Sequence, residues 1–160
     1  MIVKYKLELD ASRHPVLAKE QSYRYGTARL DAPEKIVEMV NVCFHLSDMA
    51  EEHVYMIALN AATVPTGVFE VSHGCINYAL ITPRELFLRA ALTGALGIVV
   101  LHNHTSGEIS PSREDVAACS RIKEAGDIIG ITLFDFIIVG NRKFLSFRKE
   151  GMLEDKKTDR

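Results

Sequence analysis

Residues 97–115 read GIVVLHNHTSGEISPSRED, and how this stretch divides decides the fold. GIVVLH, 97–102, is apolar on both sides, as a central strand covered by helices must be. A helix begins near Pro111 or Ser112. Ser110 before Pro111 is one possible cap, and Ser112 with Asp115 three residues on is another. On a strand, side chains two apart share a face, so His102 and His104 project together. They leave the C-terminal end of the strand, a favoured place for sites on open sheets.

Outward from this stretch, strand and helix signals alternate. Ile2–Leu9 alternates as an edge strand would, and residues 10–31 show no clear period. Asp31-Ala32-Pro33-Glu34 opens a helix with Ile36, Val37, Val40 and Phe44 on its apolar face. EEHVYMIALN, 51–60, is a mostly apolar strand opened by two acids, and VFEVSH, 68–73, alternates as a paired strand. Thr82-Pro83-Arg84-Glu85 repeats the helix-start logic, and this helix carries Leu86, Leu88, Ala91 and Leu92. After 112 a third helix places Val116, Cys119 and Ile122 on one side. ITLFDFIIVG, 131–140, is another buried strand, and Asn141 turns it into KFLSF. The predicted class is α/β, with helices on both faces of one sheet. Residues 1–30 form an N-terminal strand and irregular extension, 31–153 the domain, and 154–160 a charged tail.

Bulk properties narrow the function. The 160-residue chain is 48% hydrophobic and 25% charged, a soluble composition with room for one core. A net charge of −2 argues against a generally basic nucleic-acid binder. No apolar run reaches the roughly 18–20 residues that cross a bilayer, and no signal-peptide core opens the chain. A cytoplasmic protein is expected. Cys43, Cys75 and Cys119 are widely spaced, without C-x-x-C, and read as small buried residues rather than a bridge or metal ligands.

The chemistry concentrates where the chain opened. If the loop after His104 folds back, Asp115 in the first turn of the next helix joins the two histidines. Two imidazoles and a carboxylate suit zinc, and a fourth position left to water makes the site catalytic rather than structural. Such a site needs a base, and Glu51 and Glu52 are the candidates. The competing reading is a strand end followed by a capped helix, which needs no metal. It leaves unexplained two polar residues on successive same-face positions of a buried strand. The H-E-x-x-H helix of zincins is absent, as are both halves of the deaminase pattern. The histidines of HNH nucleases lie far apart on a metal finger, whereas these are adjacent on one strand. His14 and His45 read as surface positions, His73 as a surface or hydrogen-bonding residue, and His53 as facing away from the base. Arg142, Lys143, Arg148 and Lys149 read as solvated strand ends.

H-x-H, a gap and S-x-x-D, with a glutamate upstream, resembles the JAMM signature of the MPN/JAB metalloprotease superfamily. GCINYALITPRELFLRAAL (74–92), VVLHNHTSGEISPSREDV (99–116) and IKEAGDIIGITLFDFIIVG (122–140) look like RadC-like JAB domains. The resemblance covers roughly residues 35 to 153. Gly74, Asn77, Pro83, Arg84 and Glu85 match the pattern before the strand; Asn103, Ser106, Gly107 and Pro111 match it around the metal motif. It implies a three-layer α/β/α, deaminase-like fold around a mixed sheet. It further implies one Zn2+ on His102, His104 and Asp115, with water in the fourth position. Glu52 would be the general base, and Ser112 would donate a hydrogen bond to the water or oxyanion. The implied reaction is attack by metal-activated water on an amide or isopeptide carbonyl of a peptide or protein. The alternative is a DNA-repair-associated or protein-interaction module that keeps fold and metal. Thr105 stands where the family usually has proline, and Phe136 replaces a histidine common there. The N-terminal helical region of longer RadC proteins has no room here, so its DNA-binding role is not carried over.

Overall fold

In the computed structural model, residues 1–26, 29–74 and 81–153 are described. Cys75, Asn77 and the charged tail fall outside them. The elements are β1 (Ile2–Leu9), β2 (Pro15–Tyr23), α1 (Pro33–Phe44), β3 (His53–Leu59), β4 (Pro65–His73), α2 (Pro83–Leu92), β5 (Gly97–Asn103), α3 (Arg113–Ile129), β6 (Thr132–Val139) and β7 (Phe144–Ser146). Seven strands form one sheet in the order β2-β1-β4-β3-β5-β6-β7. The sheet is mixed: β1–β4 and β5–β6 run parallel, and the other neighbours are antiparallel.

The two central strands β3 and β5 are buried along their whole length, and alternation sends their side chains into two separate cores. Val54, Met56 and Ala58 of β3, with Ile98 and Val100 of β5, pack with Leu86, Phe87 and Ala90 of α2 and with Cys119 and Ile122 of α3. Tyr55, Ile57, Leu59, Val99 and Leu101 pack with Ile36, Val37, Met39, Val40, Cys43 and Phe44 of α1. Each large side chain removed from water in these layers contributes about 1.5–3 kcal/mol, so both faces of the sheet hold their helices firmly. Helices thus lie on both faces, as an α/β domain requires. The parallel β5–α3–β6 crossover is what brings the start of α3 back over the end of β5.

Several expectations give way to tertiary context. β1 is not an edge: it lies between β2 and β4, and the edge on that side is β2. Residues 15–23, read as part of an irregular extension, are a strand paired with β1 from Ile2↔Tyr23 to Leu9↔Pro15. Neither α1 nor α2 has a side-chain cap; Asp31 instead accepts from Lys35 Nζ at 2.7 Å, and Glu85 from Arg84 and Arg89. Val116 is exposed, and α3 buries Asp115, Ala118, Cys119, Ile122 and Gly126 instead. Cys43 and Cys119 are free and buried, and burial pushes the Cys119 thiol up to about 12. Among the described residues, no helix is long and apolar enough to cross a membrane.

Candidate metal centre

Of the two possible caps for α3, Ser112 is the one used. Its Oγ accepts from Asp115 N at 3.0 Å, and Ser112 N donates to Asp115 Oδ2 at 2.7 Å, a complete capping box. That box fixes the rotamer of Asp115, whose side chain is wholly buried. The carboxylate is thereby held at the positive end of a 17-residue helix and aimed at β5.

There it meets both histidines. His102 Nε2 lies 2.9 Å from Asp115 Oδ1, His104 Nε2 lies 3.4 Å from Asp115 Oδ2, and the two Nε2 atoms are 3.1 Å apart. His104 Nδ1 donates to the carbonyl of Glu108 at 3.0 Å, which leaves Nε2 of the neutral ring with its lone pair facing the cluster. Asp115 Oδ1 is buried and has no aligned hydrogen bond, although a ring nitrogen faces it. Three acceptor-type atoms crowded this closely, one of them without an aligned donor, match the needs of a cation. Tetrahedral zinc with bonds near 2.0–2.1 Å would place such ligands about 3.3 Å apart, close to the separations observed.

Burial alone would push the Asp115 carboxyl up, but the ring nitrogens of His102 and His104, whenever they carry protons, outweigh it and hold the group far below the usual range. Hydrogen bonding to Asp115 raises His104 above its ordinary value against the opposing effect of burial, and the charge of Glu52 adds to the rise.

That influence agrees with the register. The antiparallel β3–β5 ladder ends at the pair Val54↔His102, so the chain just before β3, with Glu52, and the chain just after β5, with His104, leave the same end of that ladder. Val54 faces α2 and α3, and Glu52, two residues earlier, emerges on the same side as the cluster. Glu51 goes the other way, its Oε2 hydrogen-bonded to His73 Nε2. Two adjacent acids at the strand mouth are therefore separated by the pleat.

The loop between the histidines and α3 is held by backbone contacts. His104 N donates to Val139 O at 2.9 Å, Gly107 N to His104 O at 3.0 Å, and Asn141 N to Gly107 O at 3.1 Å. Gly107 has φ +82°, and a Cβ on Gly140 would run into the Gly107 carbonyl, so both positions need glycine. Thr105 is exposed in this loop and is not among the residues of the cluster. Phe136 is fully buried and sets its ring against His102, with centroids 5.4 Å apart. Phe136 thus forms an apolar wall behind the first histidine.

Asn103 has a role that the sequence signalled only by a polar residue between two histidines on a buried strand. Its Oδ1 accepts from His53 N at 2.7 Å, and its Nδ2 donates to Glu51 O at 2.9 Å. The side chain stitches the end of β5 to the turn that carries Glu52.

A family model described as RadC-like JAB domain matches residues 30–152. Curated relatives similar to the chain include a UPF0758 protein of Clostridium beijerinckii, 39% identical over 108 residues, covering 68% of this chain and 47% of that protein. A UPF0758 protein of Geotalea uraniireducens is 34% identical over 140 residues, or 85% of this chain and 61% of that one. One from Staphylococcus epidermidis is 39% identical over 109 residues, or 68% and 48%. The chain spans about half the length of the curated relatives it matches, and the matched region contains the whole β3–β7 body with its histidine pair and capped aspartate. By fold, motif and family match together, the chain belongs to the RadC-like JAB domain family, a branch of the JAMM/MPN superfamily.

Proposed function

We propose that this domain is a zinc-dependent hydrolase of the JAMM type, acting on an amide or isopeptide bond of a peptide or protein. The observation that carries the proposal is the convergence of His102 Nε2, His104 Nε2 and the buried Asp115 carboxylate, within 2.9–3.4 Å of one another. Those three side chains would hold the ion. Zinc there supplies a Lewis acid and lowers the pKa of water.

The chain's own residues do the rest. Glu52, which leaves the same end of the β3–β5 ladder as His104, takes the proton from water and returns it to the leaving amine. Ser112 Oγ accepts the Asp115 N–H but keeps its own proton, which it donates toward the developing oxyanion. Phe136 keeps water from the back of His102. The net charge of −2 gives no support to a nucleic-acid substrate.

Elemental analysis of purified protein tests the reading. An equivalent of zinc is expected that disappears in both His104→Ala and Asp115→Ala. Zinc content unchanged by both substitutions would remove the site, and zinc binding without hydrolysis of any peptide or isopeptide would favour an interaction module.

The metal-free site also predicts a pH dependence. Asp115 is depressed in the fold, so its contribution is present above about pH 3.9 and lost as pH falls through its folded value. His104 is raised, so its contribution is full below about pH 6.5 and lost as pH rises through its folded value. The ion pair therefore supports the metal-free fold best between those limits, where the proton on His104 also competes with zinc. The rise in Tm on adding zinc is expected to be larger at pH 8 than at pH 5.5. An equal or smaller rise at pH 8 would contradict the proposed ligand set.

A further inference from the structure

The opposite face of the same sheet end carries a second group of ligating side chains. We propose that Glu51, His53 and His73 form a second site for a divalent transition ion of the zinc class, separate from the His102–His104–Asp115 set. One ligand atom from each of the three lies within 4.8 Å of the others.

The register builds the group. His53 pairs with His73 across β3 and β4, and their rings stack with centroids 4.2 Å apart and planes 14° from parallel. Glu51, two residues before His53, shares its side of the strand and hydrogen-bonds His73 Nε2. His73 and Glu51 are 55% and 60% exposed, so the His73 ring can turn out of the stack to aim a nitrogen at the ion, and Glu51 can follow, without disturbing the core.

His53 is different, because it is buried and already oriented. Its Nδ1 lies 2.7 Å from Glu70 Oε1, and Glu70 is in turn held by Lys4 Nζ at 3.0 Å. The two Glu70 oxygens are thus shared between these partners, Oε1 facing His53 Nδ1 and Oε2 accepting from Lys4 Nζ. The proton of the neutral imidazole is then fixed at Nδ1, and Nε2 keeps its lone pair. A carboxylate behind a histidine, setting its tautomer and ring orientation, is the arrangement that supports histidine ligands in metal sites. Glu70 is engaged by Lys4 and His53 and does not ligate. Two imidazoles and one carboxylate favour zinc, nickel or copper over magnesium or calcium, and the open positions go to water.

The two sites are joined by the Asn103 side chain, which bonds His53 N and Glu51 O, and by a backbone contact. Gly74 N donates to Glu52 O at 2.9 Å, so an ion bridging Glu51 and His73 ties together the strand ends that carry Glu52.

Zinc binding by equilibrium dialysis of the whole chain decides the matter. Asp115→Asn protein is expected to keep one equivalent of Zn2+, and adding His73→Gln or Glu51→Gln should weaken that equivalent at least about 100-fold. Glu70→Gln should weaken it by about 10- to 100-fold through the lost orientation of His53. His73 and Glu51 are exposed, and circular dichroism checks that their variants stay folded. Asp115→Asn protein that binds no zinc, or an equivalent indifferent to His73→Gln and Glu51→Gln, would overturn the second site. The first site is read separately, from the equivalent that depends on Asp115.

Discussion

Glu52→Gln is expected to keep its zinc and to lose about 100- to 10,000-fold in turnover, the usual contribution of a positioned acid–base group. The change is nearly isosteric and touches none of the three ligands, so zinc content should match wild type. The side chain is half-buried and lies just beyond the Val54–His102 end of the β3–β5 ladder, near enough to bear on the protonation of His104. Replacing the carboxylate removes the acceptor for the proton of water while leaving the remaining polar groups in place. The lost group should also remove the acid limb of the kcat/KM profile, where the base of the free enzyme titrates. His104 should titrate lower in the metal-free variant, since one source of its upward shift is gone. A Gln variant that hydrolyses as fast as wild type would show that another group accepts the proton.

How much of this was legible in the chain depends on whether a signal was local. The H-x-H motif and the S-x-x-D box each fit within four residues, and both were readable because strand alternation and helix capping act at that range. The choice between Ser110 and Ser112 needed the structure, because both patterns are locally sound and only the position of Asp115 over β5 distinguishes them. The Asp31 and Thr82 signals misled in detail for the same reason: the helices start where expected, but nearby lysine and arginine take the carboxylates. β2 was not legible because PVLAKEQSY has neither face fully buried, and its strand character comes from pairing with β1. The cluster of Glu51, His53, Glu70 and His73 was equally hidden, since its members meet only through the β3–β4 register.

Asn103→Ala carries the largest expected loss of stability among these substitutions, because its side chain bridges two elements from a position only 2% exposed. The backbone N–H of His53 would lose its 2.7 Å acceptor inside the sheet, and Glu51 O would lose its 2.9 Å donor. An unsatisfied buried group costs about 1–3 kcal/mol, so the two losses together should destabilise by roughly 2–4 kcal/mol. For a domain of this size that corresponds to a fall in Tm of roughly 5–15 °C. The side chains of His102, His104 and Asp115 do not depend on these bonds, so their zinc equivalent should remain at temperatures well below Tm. Glu52 does depend on them, since the turn before β3 is anchored to β5 through Asn103. Turnover should therefore fall while that zinc equivalent stays, a split that general unfolding would not produce. Wild-type Tm and turnover in Asn103→Ala would mean that β3–β5 pairing alone positions the base.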